Sequence, residues 1–304
     1  MIDFKALEYI SAISEAKTIS QAAKNLFVSQ PALSQQLAKI EKELGMRIFE
    51  RTGGTMTLTS AGEILVRNGR LLLMAREEML GQIASLSGEQ VETLRFGVSP
   101  FYSKYYLPIL LPYYQANSPN IQLNIIERPS TELEQNVLNG DLDLCFIPAE
   151  PMREGLNYHP IYMEEIMIAV PPAHPINACA ISSADIPYMN LCLLQNEPFV
   201  SLVPTLKFSK MSRRILNHFS ITPKVIYEST NWDTVCMLVA QGIGVGFLPK
   251  VLIHKHLHEP KFYRIAGIDS TRAYCAVYAK EKHLSHSALN LINTFQKLLE
   301  HADA

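Results

Sequence analysis

The stretch Ser29-Gln30-Pro31-Ala32-Leu33-Ser34-Gln35-Gln36 constrains the fold more than any other part of this 304-residue chain. Ser29 is a helix-capping residue type, and Pro31 suits a first turn, where no backbone donor is needed, so a helix begins here. Leu33, Leu37, Ile40 and Leu44 fall on one face of it and Gly45 stops it. Upstream, Thr18 and Gln21 have capping-box spacing and open a short second helix, whose Ala22, Ala23 and Leu26 leave little bulk at a crossing. Leu7, Ile10, Ala12 and Ile13 give a supporting first helix that breaks at Lys17-Thr18. A third helix with uncharged hydrogen-bonding residues outward suits the major groove of DNA. Gln30 and Gln35 match adenine, Ser34 matches several base edges or a phosphate, and Pro31 and Ala32 suit a thymine methyl, with Lys39 on the exposed side.

After Gly45, Arg47 to Arg51 and Thr55 to Thr59 alternate around Thr52-Gly53-Gly54, the pattern of a hairpin. This wing places Arg51 and Thr52 toward backbone phosphates or a narrow minor groove. An ordinary amphipathic helical bundle is the plainer alternative; the order of three helices, glycine stop and hairpin within residues 1–59 argues against it. Seven Lys and Arg in this segment are nearly balanced by six acidic residues, so a lone domain is expected to bind DNA weakly and to act in pairs. Ser60 with Glu63 has the spacing of a second capping box, and helical periodicity then runs to Ser87-Gly88. A helix of that length is about 40 Å long, too long for a strut in a small domain. Ile64, Leu65, Leu71, Leu72, Met79, Ile83 and Leu86 recur at threes and fours, as in a two-helix seam over residues 60–89. Packing on its own domain is the competing use of that face.

From about Val91 short apolar runs alternate with helical stretches, the signature of α/β architecture. Strands are expected at Thr93 to Val98, Ile121 to Glu127, Leu142 to Ile147, Glu165 to Val170, Leu191 to Leu194, Val225 to Glu228, Val245 to Leu248 and Arg272 to Tyr278. Helices fall near Lys104 to Gln115, Thr131 to Asn139, Thr205 to Phe219, Trp232 to Gln241 and Ser285 to His301. Two lobes result, one of about 90–164 with 266–304 and one of about 165–265, with a small-molecule cleft at the carboxyl ends of the strands.

Three runs resemble the LysR-type transcriptional regulators: Ala22 to Ser34, Ile40 to Arg51 and Leu58 to Gly62. The effector half is similar to theirs in Gly140-Asp141-Leu142-Asp143-Leu144, in His174-Pro175, and in Val239 to Pro249. The resemblance implies an N-terminal winged helix-turn-helix (α with β wing), a long linker helix, and a C-terminal α/β two-lobed effector domain similar to periplasmic binding proteins. It implies that Gln30, Pro31, Ser34 and Gln35 face bases, with Thr18, Ser29 and Arg51 nearer phosphate. Gly54 stands where the family often has a wing-tip arginine, which weakens the phosphate contribution. Pairing through the linker, into dimers or tetramers, is implied too. The implied effector contacts are Ser99, Pro100 and Phe101, then Ser130 and Thr131, then Gln195 and Asn196, then Thr230 to Trp232. Hydroxyls and N–H groups at helix starts favour a carboxylate or another small anion, although simple capping by Ser99, Thr131 and Thr230 would use the same residues. Phe101, Tyr102, Tyr105, Tyr106 and Trp232 form either an aromatic wall or packing.

Other features carry less. Gly242-x-Gly244-x-Gly246 joins a helix to a strand, the reverse of a dinucleotide loop, and is expected to be a turn with tight packing. His254, His256 and His258 lack a Cys or carboxylate cluster and suit a solvated surface rather than a metal. No nucleophile-elbow, Cys-x-x-Cys or His-Glu-x-x-His motif occurs, so neither enzyme chemistry, cofactor nor metal is expected. Five cysteines, an odd number, fit a reducing cytoplasm. Some members of the resembling family sense oxidants through a cysteine pair in the second lobe, where Cys179 and Cys192 lie; Cys192 sits in an apolar run and is expected to be buried and inert. There is no signal peptide or membrane-length apolar run, and net charge −2 with 48% hydrophobic residues describes a soluble chain. The expectation is a cytoplasmic homo-oligomer on double-stranded promoter DNA, modulated by a small-molecule effector. A thiol-based sensor is the nearest alternative, and a small-molecule carrier or enzyme without specific DNA binding is the alternative from another class.

Overall fold

The computed structural model describes residues 2–85, 92–183, 185–253, 255 and 257–302. The first helix, α1 (Phe4–Ala16), is capped by Asp3, whose Oδ1 accepts from the Ala6 N–H at 2.8 Å. In α2 (Ile19–Asn25) the Thr18 hydroxyl accepts from the Gln21 N–H. The return half of that capping box is not made, because the Gln21 side chain donates to Asn25 Oδ1 at 2.9 Å. Helix α3 (Gln30–Leu44) starts at Ser29 and ends at Gly45, as the sequence requires. Ile10, Ile13, Ala22, Leu33, Leu37, Ile40 and Ile48 close the core of this bundle. The wing pairs β1 (Phe49–Thr52) with β2 (Thr55–Leu58) around Gly53 and Gly54, both at positive φ, the backbone a two-residue hairpin turn demands.

Helix α4 (Ser60–Ser85) follows without a break. Its cap is Thr59, one residue ahead of the expected Ser60: Thr59 Oγ1 accepts from the Gly62 N–H at 3.1 Å while donating to the Arg47 carbonyl at 2.7 Å. The cap thereby bolts the long helix to the wing. Leu86 and Ser87-Gly88, expected at the end of this helix, lie outside the described residues.

The remainder comprises β3 (Glu92–Val98), α5 (Pro100–Asn117), β4 (Ile121–Glu127), α6 (Ser130–Asn139), β5 (Leu144–Pro148), β6 (Leu156–Val170), β7 (Tyr188–Met189), β8 (Pro198–Leu202), α7 (Lys207–His218), β9 (Lys224–Ser229), α8 (Trp232–Ala240), β10 (Gly246–Pro249), β11 (Lys261–Ile265), β12 (Thr271–Ala279) and α9 (His286–Ala302). The main sheet runs β4-β3-β5-β12-β6-β11-β7, with β10 also on β6, and β8 and β9 form a separate parallel pair. Strands β3, β4 and β5 are parallel, as expected of consecutive β-α-β units.

The chain crosses between two core clusters inside β6. Nine of its first ten residues, all but Ile161, pair with β12, and Ile166 to Val170 pair with β10 and β11. This strand begins nine residues before the expected Glu165. Pro160, a strand breaker by type, is accommodated opposite Cys275 where the register shifts. The expected strand at Leu191 to Leu194 is a 3-10 turn, and the strand that follows it, β8, begins at Pro198, seven residues after Leu191. Gly244 and Gly246 are packing glycines: a Cβ on either would lie 2.4 Å from the Pro198 carbonyl oxygen or 2.8 Å from that of Val200.

Candidate DNA interface and effector cleft

On α3 the inward face is aliphatic, and Pro31, Gln35, Ala38 and Lys42 lie along the exposed face opposite it. Gln30, Ala32 and Lys39 are also exposed, while Ser34 is half-buried on the flank. Ser20 Oγ donates to Gln30 Oε1 at 3.3 Å, which orients that carboxamide before any DNA arrives. Ser29 and Thr18 use a lone pair for capping and keep a hydroxyl proton to donate. Two contacts set the wing against the helices. Glu41 Oε1 accepts from the Ile48 N–H at 2.8 Å, and the Met56 N–H donates to the Lys17 carbonyl at 2.7 Å. Arg51 and Thr52 are then exposed on β1. Ala38 and Lys42 complete the exposed face; their i+3 and i+7 spacing from Gln35 is the signal for them.

The other site is a cavity of about 750 Å³ between the two core clusters. Ser99, Pro100, Phe101, Ser130, Thr131, Thr230 and Trp232 all line it. Gln195 and Asn196 do not. They follow the 3-10 turn Leu191–Leu194 and precede β8, so they sit at the amino end of that strand, whereas the cavity meets its carboxyl end at Leu202 and Val203. Capping does not account for the hydroxyls. Ser99 precedes α5 but makes no side-chain cap bond, Pro129 occupies the cap position of α6, and Asn231 caps α8 by accepting from the Asp233 N–H at 2.8 Å. Ser99, Ser130, Thr131 and Thr230 thus present to the cavity hydroxyls that cap no helix among the described residues, the Ser99 one on a buried residue.

The aromatic residues divide. Phe101 and Trp232 line the cavity in contact with each other, ring centroids 5.5 Å apart and tilted by 46°, and Phe208 meets Trp232 edge-on at 3.8 Å. Tyr102 lines the cavity too, whereas Tyr106 is packed among Tyr274, Tyr162 and Phe295. Tyr105 donates to Asp233 Oδ1 at 2.6 Å, a bridge from α5 to α8.

Three cations that sequence reasoning passed over also line the cavity: Lys104, Lys207 and Arg272. Each already holds a carboxylate. Lys104 Nζ lies 2.9 Å from Asp233. Lys207 Nζ lies 2.5 Å from Glu134 and donates to the Pro151 carbonyl at 2.9 Å, with side-chain exposures of only 6% and 4% for the two ionic partners. Arg272 lies 2.6 Å from Glu164 and from the Tyr102 hydroxyl, with its guanidinium 4.8 Å from the Phe208 ring centre. Burial pushes the Tyr102 hydroxyl well above its ordinary value, so it stays a neutral donor to Glu164. Burial lowers the Lys207 ammonium, against the pull of Glu134. Burial opposes the charge on Arg272 as well, but Glu164 and the neighbouring tyrosines Tyr102 and Tyr162 together outweigh it and the net shift is upward. Arg272 had a sequence signal, a lone charge in an otherwise apolar strand. Lys207, at the start of an amphipathic helix, had none.

Among the cysteines, Cys145, Cys236 and Cys275 are buried, and burial raises each thiol, Cys275 to about 11. Cys192, expected to be buried, is exposed, because only Leu191 and Leu194 of its 3-10 turn point inward; Cys179 is exposed as well. Among the described residues no group of His, Cys, Asp and Glu is placed to hold a metal ion, and no helix is long and apolar enough to cross a membrane. His254 and His256 lie outside the described residues.

A winged helix joined by a long helix to a two-lobed α/β body with an inter-lobe cavity defines a class: one-chain DNA-binding proteins that carry their own small-molecule domain. Residues 4–63 match the family described as bacterial regulatory helix-turn-helix protein, lysR family, and residues 87–300 match the LysR substrate binding domain. The chain therefore belongs to the LysR family of transcriptional regulators. It is similar to the HTH-type transcriptional regulator AlsR of Bacillus subtilis, at 25% identity over 100% of this chain and 99% of that one. It is 34% identical to the hydrogen peroxide-inducible genes activator of Haemophilus influenzae, over 57% of this chain and 58% of the relative. Among solved structures, a full-length OxyR cysteine variant from Pseudomonas aeruginosa has a TM-score of 0.72 at 23% identity, covering 99% of this chain and 95% of that one. Full-length CbnR complexed with target DNA has a TM-score of 0.61 at 20% identity, covering 99% and 100%. At these identities the structural likenesses speak to fold alone.

Proposed function

We propose that this regulator reads promoter DNA with α3, using Gln30, Pro31, Ala32, Ser34, Gln35 and Lys39, with Thr18, Ser29, Arg51 and Thr52 toward the phosphates, and that a small molecule in the inter-lobe cavity modulates its binding. It acts in the cytoplasm as a regulator, not as an enzyme or carrier. The observation that carries the effector half is the set of hydroxyls at Ser99, Thr131 and Thr230, which line one aromatic cavity without capping a helix. A carboxylate or other small anion remains the favoured ligand. Because Lys104, Lys207 and Arg272 are already ion-paired, its acid group would be held by those hydroxyls and by N–H groups at the helix starts.

Oligomerisation has its own support. Ile64, Leu72, Met79 and Ile83 of α4 are all exposed and fall within an arc of about 100°. The opposite face of α4 packs on α1, so this stripe is a surface for a second copy of the chain. Paired recognition helices then meet two half-sites. A ligand that changes lobe closure shifts the spacing of the pair.

A thermal-shift screen of small carboxylates, aromatic acids and amino acids tests the effector reading. A ligand that stabilises the wild type should stabilise Ser99→Ala with a weaker midpoint. An unchanged midpoint would remove Ser99 from the site, and no stabilising compound would count against the cavity as a small-acid site.

A further inference from the structure

Helix α6 touches three parts of the molecule. Its first turn, Ser130 and Thr131, lines the cavity. One turn later Glu134 takes the buried ammonium of Lys207, the first residue of α7 on the far side of the cavity. Its far end is closed by Gly140, and the next residue, Asp141, lies 3.2 Å from Nη1 of Arg70 on the linker helix α4. The same guanidinium reaches back to the DNA-binding unit, with Nη2 2.8 Å from Glu15 near the end of α1. Arg70 is thus the one side chain among the described ion pairs that joins recognition unit, linker and effector body.

We infer that Arg70 is the coupling residue of this regulator, and that α6 is the lever which carries a change at the cleft to it. The inference rests on the reading above that the cleft modulates DNA binding. Leu133 and Val137 share one buried cluster with Leu142 of the end loop and with Cys145 and Ile147 of β5, so a shift of α6 over that strand carries its end loop with it. Ten residues of helix span about 15 Å, and a tilt of about 10° at the cleft end displaces the far end by about 2.6 Å. That is enough to part Asp141 from Arg70.

The two ends of the lever differ in strength. Lys207 and Glu134 are shielded from water, whereas Asp141 and Glu15 are substantially exposed, so each of their ion pairs with Arg70 is weak by itself. A displacement is therefore released at Arg70 and not at Lys207. Arg70 is itself only 12% exposed, and its Nε is buried with no acceptor among the described residues. A buried donor left unmatched is costly.

The test is a double-mutant cycle on the full chain with DNA from upstream of its own gene. Glu134→Gln removes the charge at the cleft end, Asp141→Asn removes it at the linker end, and affinity is read by fluorescence anisotropy. Glu134→Gln should change promoter affinity by about fivefold or more in the wild-type background, and by less than about twofold when Asp141→Asn is present. Equal effects in both backgrounds, or no effect of Glu134→Gln at all, would overturn the inference. Exchanging the charges at all three positions, Arg70→Asp with Asp141→Arg and Glu15→Arg, should restore sensitivity to Glu134→Gln, and failure to restore it counts against the link through Arg70. Hydrogen exchange on the DNA-free chain separates this idea from its premise. Glu134→Gln should speed exchange at the end of α1 and in the middle of α4, and unaltered exchange there would overturn the lever. If the wild type has no promoter preference while exchange responds, the premise fails and the lever stands.

Discussion

Replacing Lys207 by Met is the most diagnostic perturbation of the effector body. The methionine side chain follows the aliphatic stem of the lysine, so the change removes charge more than volume. It deletes a 2.5 Å ion pair with Glu134 and a 2.9 Å donation to the Pro151 carbonyl. Among the described residues Glu134 then keeps one neutral donor, the Tyr158 hydroxyl at 2.5 Å. Both ionic partners are more than nine-tenths buried, so this is the regime in which orphaning one charge costs about 3–5 kcal/mol. For a body of this size a kilocalorie moves the melting temperature by about 2–4 °C, which gives a drop of about 6–20 °C. The double substitution Lys207→Met with Glu134→Gln removes both charges and keeps the acceptor for Tyr158. It should return to within about 1–2 kcal/mol of wild type. Calorimetry reads both variants. A double variant as unstable as the single one would refute the reasoning, because the loss would then come from packing at the α7 start and not from an unpaired carboxylate.

Asp143 accepts from the Arg95 N–H at 2.7 Å and pairs with Lys282 at 2.7 Å. Burial pushes its carboxyl up, but Lys282 and Arg95 together outweigh burial and hold it below the ordinary carboxylate range. Since the folded value is depressed, its stabilisation is present in full above the unfolded value near pH ~4 and is lost as pH falls through the folded one. Asp143→Asn should therefore cost about 1–3 kcal/mol at neutral pH, with the gap to wild type closing in acid; a gap independent of pH would remove the ion pairs as its cause. Leu72→Glu with Ile83→Glu, on the exposed stripe of α4, should lower the oligomeric mass measured by light scattering, and an unchanged mass would show that another face pairs the chains. Cys179→Ser with Cys192→Ser separates the thiol-sensing alternative: the proposed regulator keeps its DNA binding unaltered by peroxide in both forms, and a peroxide response lost only in the double variant would favour the thiol pair.

The DNA-reading half was legible because its signals are local. Caps, a first-turn proline, a glycine stop and an aliphatic face each act within four residues, and Ser29, Pro31, Gly45 and Leu33 take up those roles. Even there the cap of α4 moved from Ser60 to Thr59, since both residue types cap and only the tertiary partner, the Arg47 carbonyl, decides between them. In the effector half, strands with long apolar runs were visible, and those whose identity depends on a neighbour were not. Pro160 hid the first part of β6, because a proline is tolerated there only by the register shift against β12. Leu191–Leu194 has the apolar run of a strand but forms a 3-10 turn, so the strand end that meets the cavity lies at Leu202 and Val203, and Gln195 and Asn196, the contacts the family resemblance implies, fall at the other end of β8. Lys207 and Glu134 are 73 positions apart in sequence, and no local pattern marks them as a pair.

The proposed promoter recognition rests on α3 reading base edges through uncharged side chains. The most direct measurement is a competition binding assay comparing wild type with Gln35→Ala on the chain's own upstream DNA and on random duplex. Loss of one bidentate amide contact predicts a weakening of about 1–3 kcal/mol on the specific site with random-duplex binding nearly unchanged. Equal weakening on both duplexes, or no preference for the upstream DNA in the wild type, would contradict it.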